Sequence, residues 1–377
     1  MLYIGFIAEF ARLISGIESR GLLLIIVISS FMLKFRTHTY NRSQVNFVIL
    51  LLLFAPLILN NTDRLFYDSL INYLLLLIFV ALLPAQFFEK LRNELFLSKL
   101  HFIAVICTAI VAVIQYRLEM RVGHAVILFF SEPAHFVREL AILSALSIAS
   151  INLKFVYLIN ILLYIFLGLA CPSLLALVVS FGFTFLYFRM YASEKKIIGK
   201  LLIYGLAAMI VIFFAMTLLN VEYFSSRLNF NSQLEEFNNL TTLVFLQGYE
   251  NAYLILKDSV MGTGIGQAAD ANAGQISKHI YEITNGKNLN LEDAGSLAAK
   301  ILIEFGWFGV LLNLIIIISS VRLILLDGDT LQTRLLQNIS MVFLLFFVLR
   351  SAGYFTSINF FVLLLVFHSN RFKNACN

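Results

Sequence analysis

Residues 298–321 read AAKILIEFGWFGVLLNLIIIISSV, a run in which Lys300 and Glu304, both near its start, are the only charged residues. About 20 predominantly apolar residues make a helix long enough to cross a bilayer. Comparable runs recur on both sides of this one, near 21–35, 45–60, 66–88, 101–116, 139–153, 155–170, 173–188, 201–219, 335–349 and 357–368. Residues 1–17 are apolar but carry Glu9 and Arg12, so they read either as a weak first span or as an interfacial amphipathic helix. The pattern predicts an all-α polytopic helical bundle of about eleven or twelve transmembrane helices.

Composition agrees. Hydrophobic residues make up 60% of the 377 and charged residues 13%, against roughly 45–50% and 25% in soluble domains. A water-soluble globule has nowhere to hide that much apolar surface. The net charge of +5 does not point to nucleic acid, because the basic residues sit in short breaks between apolar runs with no aromatic-basic stripe. The N-terminus lacks the charge pattern of a cleaved signal. Cys107, Cys171 and Cys376 have no metal-ligand spacing and are odd in number, which argues against a disulfide framework.

Lysine and arginine set the orientation. The breaks at 34–44, 89–99, 154, 189–200 and 322–334, with the C-terminal tail, collect fifteen basic residues on one side, and the opposite short breaks hold five. The richer side is expected to be cytoplasmic, with the C-terminus inside. The organisation is then one membrane domain: N-terminal helices in 1–219, a long outer loop at 220–297 and C-terminal helices in 298–377. Loops this long are usually functional. Within it, 242–258 has a helical apolar period and ends before a glycine cluster, as expected of a short helix on or dipping into the membrane surface.

Four constellations fall on the outer side. The first is Ser131-Glu132-Pro133-Ala134-His135-Phe136-Val137-Arg138-Glu139. Proline favours the first helical turn and Ser or an acid caps it, so His135 and Arg138 are expected on one face. Capping with interfacial anchoring is the plain reading; so many ionisable groups between apolar runs also suit a site. The second joins Gln247-Gly248-Tyr249-Glu250-Asn251 to Met261-Gly262-Thr263-Gly264-Ile265-Gly266-Gln267, where glycines permit close backbone approach and exposed N–H groups suit anions. A turn explains it equally well.

The third runs from Leu291-Glu292-Asp293 to Lys300 and Glu304, the last two spaced as a helix ion pair. The fourth is Arg350-Ser351-Ala352-Gly353-Tyr354, whose arginine is either a snorkelling anchor or an anion ligand. Asp327-Gly328-Asp329 lies in a short cytoplasmic break and reads as a plain loop, and His124 and His279 lack metal-ligand spacing.

In this order the four segments resemble the Wzy-type O-antigen polymerases of Gram-negative bacteria. Residues 131–136 are similar to that family's Ser-Glu-Pro-Ser-His-Phe. Residues 246–250 with 262–267 resemble its Leu-Gln-Gly-Trp and glycine-rich turn. Residues 290–304 resemble its Leu-Asn-x-x-Asp-Gly stretch leading to Lys and Glu-Phe-Gly, and 350–355 its Arg-x-x-Gly-Tyr-Phe. Ala134, Tyr249 and the inserted Ala294 depart from the pattern.

The resemblance implies a GT-C-like bundle with short helices in one long periplasmic loop. It implies a metal-independent glycosyltransferase of the bacterial inner membrane, with no cofactor. Its substrate would be an undecaprenyl-pyrophosphate-linked oligosaccharide, its partner a chain-length regulator, and its role polymerisation of the repeats of lipopolysaccharide.

The residues suit that chemistry. Arg138, Arg227, Lys300 and Arg350 are outer cations for a pyrophosphate leaving group, Arg138 and Arg350 foremost. Glu132, His135, Glu250 and Asp293 are candidate bases, Glu132 the first choice. Gln247, Asn251, Gly264 and Gly266 are placed to hold sugar, with Tyr249 or Tyr253 stacking on a ring, Tyr354 beside Arg350, and the long loop as a lid. Alternatives are an O-antigen ligase delivering glycan to lipid A core, and a flippase or secondary transporter. The last is disfavoured because few charges fall at span centres.

Overall fold

The computed structural model describes residues 95–119, 132–151, 153–171, 173–191, 240–264, 266–271, 274–287, 289, 291, 294–328 and 330–350. These residues form an all-α bundle: α1 (Leu95–Arg117), α2 (Pro133–Ile151), α3 (Lys154–Ala170), α4 (Leu174–Tyr191), α5 (Leu240–Asp258), a 3₁₀ turn (Ala268–Ala271), α6 (Gln275–Ile283), α7 (Leu297–Ile324) and α8 (Leu331–Leu349). The apolar runs at 1–17, 21–35, 45–60, 66–88, 201–219 and 357–368 lie outside the described residues. Those at 101–116, 139–153, 155–170, 173–188 and 335–349 coincide with α1 to α4 and α8.

Local chemistry sets the ends. Pro133 opens α2, where its missing N–H costs nothing. Ser296 caps α7 by accepting from the Ala299 N–H at 3.2 Å, and Thr330 caps α8 by accepting from the Thr333 N–H at 3.1 Å. α1 to α4, α7 and α8 pack around one core that includes Phe136, Leu140, Tyr157, Tyr164, Phe183, Phe346 and Phe347, whereas α5 and α6 contribute to two smaller clusters. Some polar groups inside it are matched: Ser144 bonds the Tyr164 hydroxyl at 2.9 Å, and Asn338 donates to the Tyr157 hydroxyl at 2.6 Å. At the opposite end from Pro133, Arg334 donates to the Ala149 carbonyl in the last turn of α2, where the helix dipole favours a cation.

The outside is apolar as well. Phe155, Leu158, Leu162, Phe166 and Leu169 form an exposed face on α3, opposite the buried Tyr157, Asn160, Tyr164 and Leu167. Helices apolar on both faces suit lipid rather than water. α4 and α7 are each long and apolar enough to cross a membrane.

α7 departs from the single straight span expected over 298–321. Gly306 has φ 57° and ψ −131°, outside helical space, and the chain doubles back there. Asn313 Nδ2 donates to the Ala298 carbonyl at 3.0 Å, although fifteen residues of straight helix would separate them by about 22 Å. Likewise a Cβ on Gly309 would lie 2.3 Å from the Ile301 carbonyl oxygen. α7 is therefore a hairpin: a short arm, 297–305, folded along a long arm, 307–324. Length and composition alone suggest one span of the whole helix, but these contacts require the break.

Candidate active site

The first turn of α2 and the C-terminal end of α8 meet at one end of the bundle. Arg350 is the C-cap of α8, its N–H donating to the Phe346 carbonyl at 3.0 Å. Its Nη2 makes a tight charge-assisted hydrogen bond to Glu132 Oε2. Arg350 is buried, and among the described residues its Nε has no hydrogen-bond partner. A buried guanidinium N–H without an acceptor is costly, and it is a donor at the disposal of an anion.

His135 Nε2 stands 3.9 Å from the same Glu132 oxygen. The ring lies outside the apolar run that begins at 139, and its pKa is lowered to about 4. Burial is the first cause, followed by the cations Arg138 and Arg350, against the opposing pull of Glu132 and Glu139. The imidazole is thus neutral at ordinary pH and leaves Arg350 as the cation facing Glu132. Arg138 is engaged elsewhere: its Nε and Nη2 donate to Glu139 Oε1 at 2.9 and 2.6 Å, both residues being buried. Of the two arginines favoured from sequence, Arg350 keeps a donor open and Arg138 is committed to its neighbour. That pairing was hidden in the sequence because consecutive helical residues usually face apart.

A lobe formed by α5, the glycine turn, α6 and the short arm of α7 packs beside this junction. Tyr249 docks it: its hydroxyl donates to the Val348 carbonyl at 2.8 Å, two residues before Arg350. Burial raises the Tyr249 pKa, with a hydrogen bond involving Ser296 working against the rise. The phenol therefore serves as a neutral strut between α5, the start of α7 and the end of α8. Gly248 is required next to it, since a Cβ there would lie 1.9 Å from the Ala294 carbonyl oxygen.

Gln247 and Asn251 are buried on α5 and share Ser277 of α6: Gln247 Nε2 donates to Ser277 Oγ at 3.1 Å, and Ser277 Oγ donates to Asn251 Oδ1 at 3.3 Å. Sequence reading did not single out Ser277, and no spacing signals it. Both Glu250 oxygens accept, at 2.9 Å each, from the N–H groups of Gln275 and Ile276, capping α6. Its carboxylate is thereby occupied within the protein.

The glycine turn is also occupied. Thr263 and Gly264 donate their N–H groups to the carbonyls of Ile303 and Glu304 at 2.9 and 3.0 Å, and the Trp307 N–H donates to the Val260 carbonyl at 3.0 Å. Helix breaks orphan such groups, and the turn satisfies them. Gly262 and Gly306, both with positive φ, pass so closely that a Cβ on either would lie 2.5 Å or less from the opposing backbone. The N–H groups of Thr263 and Gly264, read as suited to anions, splint the α7 hairpin instead. Gly266 has positive φ and is partly exposed.

Lys300 and Glu304 sit on the short arm 3.8 Å apart, both buried. Arg227, Asp293 and Tyr354 lie outside the described residues. Asp327 pairs with Arg189 and ties α4 to the α7–α8 turn. No group of three or more His, Cys, Asp or Glu side chains converges as a metal site among the described residues. Compared with models of protein families, with curated proteins and with solved structures, the chain matches none.

Proposed function

We propose that this chain is a multi-pass inner-membrane glycosyltransferase of the O-antigen polymerase type, with the α2–α8 junction facing the periplasm and the C-terminus in the cytoplasm. The observation that carries the reading is the Arg350–Glu132 pair, with His135 beside it. In that pair a buried cation, whose Nε–H has no acceptor among the described residues, stands next to two potential proton acceptors. Resemblance supports it too, since these residues fall in the first and fourth of the motif-like segments.

In the proposed reaction the bond between the anomeric carbon of the growing glycan and its undecaprenyl-pyrophosphate oxygen breaks. The electron pair leaves with the pyrophosphate, whose charge Arg350 stabilises through its Nε and terminal nitrogens. A hydroxyl oxygen of the next lipid-linked repeat forms the new glycosidic bond. Its proton passes to Glu132 or His135, whose Oε2 and Nε2 stand 3.9 Å apart. No metal is needed for charge neutralisation in this scheme.

Deleting the gene in its native host and examining lipopolysaccharide by gel tests the reading. Loss of a polymerase leaves core capped with a single repeat. Core with no repeat indicates a ligase instead, and an unchanged ladder refutes both.

A further inference from the structure

The long arm of α7 carries an exposed apolar stripe along its length: Trp307, Phe308, Leu311, Leu314, Ile315, Ile318, Val321 and Leu325. From Trp307 to Leu325 it measures about 27 Å, close to the hydrocarbon thickness of a bilayer, roughly 30 Å. Arg322, exposed, and the Arg189–Asp327 pair mark its far end. Trp307 marks the near end, where an amphipathic indole suits the membrane–water boundary.

The lobe adds to this stripe at its Trp307 end. The Trp307 Nε1 donates to the Leu256 carbonyl at 3.2 Å, and its backbone N–H holds Val260. Val260 (66% exposed) and Met261 (58%) thus stand beside Trp307 (56%) and Phe308 (53%) as one apolar tip, with exposed Lys257 nearby. The tip is rigid, because the glycine splint fixes 260–264 to the hairpin. Four large apolar side chains presented together to water would be expensive.

We propose that this tip is seated in the outer-leaflet interface of the membrane, making the lobe a lipid-anchored, partly re-entrant element. The occupant follows from continuity: the tip prolongs the very stripe that α7 presents along its length, and it ends in a tryptophan and a lysine. The short arm then lies below the boundary, since Ala298 is level with Asn313, about 9 Å down the long arm from Trp307. Irregular backbone at that depth is tolerated only when protein satisfies it, which is what the Thr263 and Gly264 N–H groups do.

Trp307 is the sole tryptophan of the chain, which makes it a native probe. The full chain is reconstituted in phosphatidylcholine vesicles containing lipids brominated near the headgroup or near the acyl-chain end. The inference predicts that the shallow bromolipid quenches Trp307 more than the deep one, and that aqueous iodide quenches it little. Strong iodide quenching would place the tip in water, and shielding from both iodide and bromolipid would mean that protein covers it; either overturns the inference. Trp307→Phe combined with Met261→Trp moves the probe across the tip and should show the same shallow profile. These readouts are independent of glycan transfer, so their failure and that of the proposed activity are separable.

Discussion

Arg350 and Glu132 are 218 residues apart in the chain, yet the guanidinium of one is hydrogen-bonded to the carboxylate of the other. The contact joins the end of α8 to the start of α2, and the buried Arg350 Nε–H has no acceptor among the described residues. If that donor receives a developing pyrophosphate, Arg350→Lys keeps the charge but loses the planar fork. Transfer by Arg350→Lys is expected to fall by about 10²-fold or more, the scale of losing one charge-stabilising donor, while the protein still inserts. The comparison is single-turnover rate against thermal stability in detergent; a purely structural arginine would lower both together.

The His135 shift sets a direction for pH. Its folded pKa of about 4 lies below the ordinary histidine value of 6.5, so the unfolded chain binds the extra proton first as the medium acidifies. Stability associated with the neutral ring is complete above about pH 6.5 and declines as pH falls towards 4. His135→Gln, neutral throughout, should flatten that limb of a melting-temperature profile. An unchanged limb would assign it to other groups.

Gly306 tests the hairpin. A Cβ there would lie 2.4 Å from the Val260 carbonyl oxygen, in a backbone conformation that L-residues rarely adopt. Gly306→Ala should cost about 3 kcal/mol or more and speed amide exchange at Thr263 and Gly264, whose acceptors lie on the short arm. Exchange unchanged at both amides would contradict the splint.

Glu250 tests whether the lobe is held by its cap. Two charge-assisted bonds to backbone N–H groups are worth about 1.5–3 kcal/mol each at most. Glu250→Ala should therefore raise hydrogen exchange at Gln275 and Ile276 by one to several orders of magnitude, with Glu250→Gln in between. Arg350 and Glu132 lie on other elements, so the α2–α8 pair should persist in both variants.

How far the sequence anticipated these features depended on range. α1 to α4 and α8 were legible because an apolar run of helical length leaves few alternatives, and Pro133 sits in the first turn of α2 where proline is favoured. The hairpin was not legible. Residues 298–321 are uninterrupted in hydropathy, and glycine is common in apolar helices, so Gly306 looks like any other. The reversal is decided by donors more than forty residues earlier, Thr263 and Gly264. The same holds for the site. Glu132, His135 and Arg350 were readable as ionisable groups stranded among apolar runs, but that Glu250 caps α6, or that Arg138 binds its neighbour Glu139, is settled by packing alone.

The most direct measurement is transfer by the purified chain in proteoliposomes, given an undecaprenyl-pyrophosphate-linked oligosaccharide repeat without added metal. The account predicts glycans of two or more repeats together with released undecaprenyl pyrophosphate, and a loss of about 10²-fold or more for Arg350→Ala and Glu132→Gln. No elongation by the folded wild-type protein on its cognate repeat, or equal rates from both variants, would contradict it.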